Sequence, residues 1–253
     1  MKRYIKAAIE SFDNYDWKDI LELALDETTD ADVLKEFCNS DSSAVANAIL
    51  SNPNVTPQVI AQLTDRILKF VGEDWDILNR IAAHPKTSKE TLANIITQLW
   101  DYDTHTIFNI DVIFSTVASN PNTSLSTLRK LANYSDYDVR AAVAKNPNTS
   151  AATLKHMVNV DDAILPYVLS NPNVSEELLI KFSNSSNHWT REGVASNPNT
   201  PVDILVKLSE DESYYVRVAV AENPHTPTEV LEQLSQDDEW LVAAQARDSL
   251  RTR

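Results

Sequence analysis

The stretch Tyr215-Val216-Arg217-Val218-Ala219-Val220-Ala221-Glu222-Asn223-Pro224-His225-Thr226-Pro227 decides how this chain is read. It pairs a short apolar run at helical spacing with an Asn-Pro step that ends it, because the residue before proline is driven out of the α region. The step recurs as Asn52-Pro53-Asn54-Val55, Asn120-Pro121-Asn122-Thr123 and Asn146-Pro147-Asn148-Thr149. It returns as Asn171-Pro172-Asn173-Val174 and Asn197-Pro198-Asn199-Thr200, with His84-Pro85-Lys86-Thr87 as a variant and Asp26-Glu27-Thr28-Thr29 as a degenerate copy. From Asn120 onward the copies follow every 25 or 26 residues, while those beginning at Asn52 and His84 are longer. A fixed period of this length is the mark of stacked repeats.

Two short helices fit each period. A first helix follows the motif and carries apolar residues at i, i+1 and i+4, as in Val33, Leu34, Phe37; Val59, Ile60, Leu63; Ile204, Leu205, Leu208; and Val230, Leu231, Leu234. That spacing sets all three on one helical face. Capping boxes are expected at Thr226-Pro227-Thr228-Glu229 and Thr87-Ser88-Lys89-Glu90, with Pro57, Pro201 and Pro227 at helix starts. A second helix precedes the next motif. Its residue three before the motif is Ile49, Ile81, Val117, Val143, Val168, Val194 or Val220, always β-branched and apolar, and the alanines beside several of these allow close approach of neighbouring units. Only Gly72 and Gly193 are glycine, which disfavours a sheet-rich fold dependent on tight hairpins. The expectation is an all-α solenoid of about eight repeats in one domain: a helical cap over 1–25, repeats over 26–247 that are enlarged over 52–119, and a tail over 248–253.

These residues resemble the leucine-rich repeat variant family, whose pattern is close to Val-Arg-x-Ala-Val-Ala-x-Asn-Pro-x-Thr-Pro followed by Leu-x-x-Leu. The likeness is strong from Val112 to the C-terminus, weaker from Asp26 to Leu63, and disturbed between. It implies a right-handed superhelix of α and 3₁₀ helices, related to HEAT-like scaffolds. One member of that family is associated with an iron–sulfur cluster held by an added cysteine-bearing segment. Here Cys38 is the single cysteine, so no such cofactor is expected, and no cofactor of any other kind is indicated.

The formal net charge is −15, from 37 acidic and 22 basic residues. That sign opposes binding to nucleic-acid phosphates or to anionic membrane surfaces and suits a basic partner, a cation or simple solubility. Met1 to Phe12 contains charges and no apolar core, and no run of 18 apolar residues occurs, so neither an export signal nor a membrane span is expected and a cytoplasmic location fits.

Candidate functional residues fall into four groups. Asn52, Asn120, Asn146, Asn171, Asn197 and Asn223 form a column suited to a side-chain ladder onto turn carbonyls. Acidic residues recur in the turn between the two helices, among them Asp136, Asp161, Asp211 and Asp237, with a break at Ser185-Ser186-Asn187-His188. They read as helix caps, as a docking edge for a basic partner, or as a weak divalent-cation site, although no EF-hand spacing supports calcium. Arg140, Arg191 and Arg217 share one repeat position, where Leu165 interrupts them, and read as braces to that acidic edge or as an anion-binding row. Trp75, Trp100, Tyr102, His105 and Phe108, in the enlarged repeats, read either as packing for the longer helices or as anchors for a partner.

No metal-ligand histidine spacing, phosphate-cradling glycine loop or nucleophile elbow occurs, so no catalytic residue and no metal ligand is assigned. The sequence favours a non-enzymatic protein-interaction scaffold, binding through its concave face, its acidic edge or the enlarged third and fourth repeats. An acidic nucleic-acid mimic is the second reading. A HEAT-like nucleic-acid-processing enzyme is the third, and it needs a basic groove that this charge balance opposes.

Overall fold

The computed structural model describes residues 17–69, 74–101 and 109–252. Among them every regular element is helical. The chain clusters into two compact units, 1–127 and 128–253, each built as a helical solenoid; the boundary falls inside one helix.

In the first unit the helices are α1 (Trp17–Leu25), α2 (Ala31–Phe37), α3 (Ser43–Ser51), α4 (Pro57–Lys69), α5 (Trp75–Ala83), α6 (Lys89–Leu99) and α7 (Asn109–Ser119). Helix α8 (Leu125–Leu131) spans the boundary. The first helices of the repeats stack as α2, α4, α6, and the second helices as α1, α3, α5, α7. Thus α1 is already a full member of the second layer. The i, i+1, i+4 triplets face inward: Val33, Leu34 and Phe37 are buried, as are Val59, Ile60 and Leu63.

The second unit continues with α9 (Tyr137–Lys145), α10 (Ala151–Met157), a 3₁₀ turn (Asp162–Ile164) leading into α11 (Leu165–Ser170), α12 (Glu176–Phe182) and α13 (His188–Ser196). It ends with α14 (Val202–Leu208), α15 (Tyr214–Glu222), α16 (Thr228–Leu234) and α17 (Trp240–Arg251). Helices α9, α11, α13, α15 and α17 pack one on the next, and α12, α14 and α16 each close a hairpin onto the helix that follows. Among the described residues the 3₁₀ geometry is confined to 162–164, so the second helices are otherwise α-helical.

The motif is the joint of this fold, and its geometry follows from its residue types. Asn52, His84, Asn146, Asn171, Asn197 and Asn223 are extended, with ψ between 124° and 131°, as a following proline requires. The fourth residue then donates its N–H to the carbonyl of the first, for example Thr149 to Asn146 at 3.0 Å and Thr200 to Asn197 at 3.1 Å. Proline fits the second position of this turn because its φ is preset and its missing N–H is not called on.

Three columns of side chains then bind the turn to its surroundings. The first asparagine accepts at Oδ1 from the N–H two residues on, as in Asn171 from Asn173 at 2.9 Å. Its Nδ2 donates twice into the preceding repeat: Asn52 to Ala24 and Asp26, Asn171 to Ala144 and Asn146, Asn197 to Leu169 and Asn171, Asn223 to Ala195 and Asn197, all at 2.6–2.9 Å. Asn120 reaches Ala82 at 2.7 Å and His84 at 3.4 Å. Ser249 ends the series, donating to Ala221 at 2.7 Å. His84 stands in for asparagine: its Nδ1 accepts from Lys86 N at 3.0 Å, and its ring also bonds the Leu50 carbonyl. Burial holds the His84 imidazole below the usual histidine range, so it serves as a neutral ring.

A second column lies two residues on. Asn54, Asn122 and Asn173 each donate from Nδ2 to two carbonyls of the preceding turn, Asn199 donates to one, and Lys86 makes the same double reach with its ammonium. In the third column, Thr29, Thr87, Thr149, Thr200 and Thr226 donate Oγ1 to the carbonyl six residues back, at 2.5–2.7 Å. Val55 and Val174 take this place without the hydroxyl and stay buried.

That third column corrects the capping boxes. The Thr226 and Thr87 hydroxyls turn back to the previous helix, to the Val220 and Ile81 carbonyls. The cap beside Thr87 is Ser88, which accepts from Thr91 N at 3.2 Å. At α14 and α16 the N-cap residues are Pro201 and Pro227, with no side-chain cap.

Candidate partner-binding groove

In the second unit the second-helix layer carries the side chains that face outward with chemistry. The turns leading into these helices are held by Asx-type bonds, which cap the helix itself at Asp136 and Asp161 and brace the residue before it at Asp211 and Asp237. Asp136 accepts from Val139 N at 3.0 Å, Asp161 from Ala163 N at 2.9 Å, Asp211 from Ser213 N at 2.9 Å and Asp237 from Glu239 N at 2.8 Å. At the break in the acidic series Asn187 does the same work without charge, accepting from Trp189 N at 3.0 Å.

Arg140, Arg191 and Arg217 pair with acids of the following repeat. Arg191 forms a bidentate pair with Asp211 at 2.6 and 2.8 Å, reaches Glu212 at 3.2 Å, and donates to the Ser185 carbonyl at 2.8 Å. Arg217 repeats the bidentate pair with Asp237 at 2.7 and 2.9 Å. Arg140 meets Asp161 at 2.5 Å. Leu165, where the arginine row lapses, precedes the turn Ser185–Asn187, which has no acid to receive one. The guanidiniums hold the Asp161 and Asp237 carboxyls below the usual range. For Asp211 burial pushes upward, and the Arg191 pairing overrides it.

Between these braces the helix starts display aromatic rings. His188 and Trp189 on α13 adjoin Tyr214 and Tyr215 on α15. Ring centroids lie 4.6 Å apart for His188–Trp189, 5.2 Å for Trp189–Tyr215 and 4.0 Å for Tyr214–Tyr215. Trp189 is 48% exposed and Tyr215 41%. Toward the N-terminal side of the unit the same surface sinks into a half-open groove of about 570 Å³ between α9, α11 and α13, walled by Tyr137, Tyr167 and Trp189. The Tyr137 hydroxyl shares a hydrogen bond with Tyr167, which, with burial, pushes its phenol up to about 12.

Gly193 and Pro166 both line the groove and lie in close backbone contact, since a Cβ at 193 would lie 2.4 Å from the Pro166 carbonyl oxygen. Asp162 and Glu192 are the only charged residues of the lining. The Glu192 Oε2 atom is buried and accepts no hydrogen bond. Its carboxyl is pushed up by burial, drawn back by His188 and raised further by Glu222.

The sequence-selected residues are distributed differently. Arg140, Arg191 and Arg217 lie together on the second-helix layer of this unit. In the first unit, Trp75 opens α5 half-buried, and Trp100 stacks on Phe114 at 5.9 Å between ring centroids. Tyr102, His105 and Phe108 lie outside the described residues. Tyr137, Tyr167, Trp189, Tyr215 and Glu192 were not singled out from sequence. A signal for Tyr137, Trp189 and Tyr215 exists: Tyr137, His188 and Tyr214 fall nine residues before the motif asparagine, and Trp189 and Tyr215 eight before. Among the described residues no three His, Cys, Asp or Glu side chains are placed to hold a metal ion, and no helix is long and apolar enough to cross a membrane.

Residues 214–239 match the family model described as leucine rich repeat variant, in the segment from which the resemblance was read. Solved structures of similar outline include a designed armadillo repeat protein, 15% identical, with a TM-score of 0.29 over 88% of this chain and 99% of that one. An engineered protein studied by the Northeast Structural Genomics Consortium is 16% identical, with a TM-score of 0.37 over 87% of this chain and 77% of that one. No curated protein matches the chain.

Proposed function

We propose that the chain is a non-enzymatic protein-interaction scaffold whose partner docks on the second-helix face of residues 128–253, across the groove and the Trp189–Tyr215 cluster. The observation that carries this reading is the concentration of partly exposed aromatic rings on one layer of a rigidly braced unit. Aromatic side chains exposed in a group are costly in water and are the commonest anchors of protein interfaces. The ladder and the arginine pairs fix the spacing of α9, α11, α13 and α15, so the surface is organised before a partner arrives and little ordering entropy remains to be lost.

The same geometry weakens the nucleic-acid-mimic reading. Asp161, Asp211 and Asp237 are already neutralised by arginine, so the inner acidic edge does not present the free charge row that a mimic needs.

Affinity capture with the full chain tests the proposal, comparing Trp189→Ala/Tyr215→Ala with Trp100→Ala and checking each variant's helicity by circular dichroism. Partner recovery falls sharply in the double variant and is retained in Trp100→Ala. Equal recovery from folded double variant and parent overturns this docking face.

A further inference from the structure

We infer that the groove between α9, α11 and α13 receives an aliphatic cation, the side chain of a lysine or arginine carried by the docked partner. The inference rests on the scaffold reading above and adds the chemistry of what enters the groove.

Two features converge on a cation. The walls carry the aromatic rings of Tyr137, Tyr167 and Trp189, a residue type that attracts cations through the ring quadrupole and packs against an alkyl stem. Lys145 already places its ammonium 4.0 Å from the Tyr167 ring centroid, so the chain itself uses one of these rings for this contact. The lining has two acids and no base, so an entering ammonium or guanidinium meets opposite charge there.

The groups acting on Glu192 from its surroundings are His188 on its own helix and Glu222 on α15. Asp162, on the 3₁₀ turn, adds a second negative charge to the lining. The formal net charge of −15 draws basic partners and repels acidic ones at longer range. A volume of about 570 Å³ holds one long side chain with its water, and is too small for a folded element.

The test uses the full chain, ¹⁵N-labelled, with two amide-capped peptides, acetyl-Gly-Lys-Gly-amide and acetyl-Gly-norleucine-Gly-amide, at matched ionic strength. The Trp189 indole N–H signal, assigned with Trp189→Phe, reports entry. The lysine peptide shifts it saturably and the norleucine peptide does not. Glu192→Gln, nearly isosteric and relieved of a buried charge, keeps the fold and weakens the lysine peptide about tenfold.

An equal response to both peptides, or an unchanged affinity in Glu192→Gln, overturns the cation assignment and leaves an apolar groove. Absence of any saturable shift overturns it too. None of these results bears on the docking face, which stands or falls on the Trp189→Ala/Tyr215→Ala capture.

Discussion

Gly193 on α13 lies directly against the backbone of Pro166 on α11: a Cβ at position 193 would meet the Pro166 oxygen at 2.4 Å and its Cα at 2.8 Å. Both contacts are with backbone, so neither can be relieved by a rotamer change. Position 193 aligns with Tyr167 one repeat earlier, each four residues before its motif asparagine, and the glycine gives the preceding helix room to come close.

Gly193→Ala sets two effects against each other. Helix propensity alone favours alanine by about 1 kcal/mol. Forcing a methyl group into a closed backbone contact costs about 1–3 kcal/mol or more. The clash wins, because the only relief is to move α11 from α13. Urea unfolding should show a loss of stability of about 1–2 kcal/mol, against the gain expected of an exposed helix position. A stabilised Gly193→Ala would mean that the two helices do not sit this close.

The ladder makes a sharper distinction at Asn197, whose side chain is fully buried and bonds Leu169 O, Asn171 O and Asn199 N. Asn197→Ala leaves all three groups short of a partner and should destabilise by about 3 kcal/mol. Asn197→Asp keeps the acceptor but turns a carboxylate toward two carbonyl oxygens. It should be worse than alanine at pH 7, and the gap should narrow as acid protonates the new carboxyl. Denaturant midpoints of the two variants at pH 7 and pH 5 check the order.

Acid should loosen the braces in a defined window. Asp161, Asp211 and Asp237 have folded-state pKa values held below the ordinary 3.8. Their contribution is therefore present above the unfolded-state value and is lost as pH falls through the lower folded values. Stability should not decline on their account until the pH drops below about 4. Arg191→Ala, which leaves the buried Asp211 carboxylate without its bidentate partner, should cost about 3 kcal/mol at pH 7. The difference from the parent should shrink as acid protonates Asp211. Urea titrations of both proteins across this range give the answer, and a constant difference at all pH values would contradict the pairing.

The repeat period, the helical class and the apolar spine were determined by sequence alone, because each is a local or periodic property. Proline fixes where a helix ends, and the i, i+1, i+4 triplets such as Ile204, Leu205 and Leu208 mark a buried face without knowledge of what covers it. Which atoms the columns reach was decided only by tertiary structure. Thr226 reads locally as a cap for the helix ahead, yet the stacked turn offers it the Val220 carbonyl behind, and burial makes that bond the better one. The groove is likewise a product of assembly. Tyr137, Tyr167, Trp189 and Glu192 lie on three different helices, and only the stacking of those helices brings them to one surface.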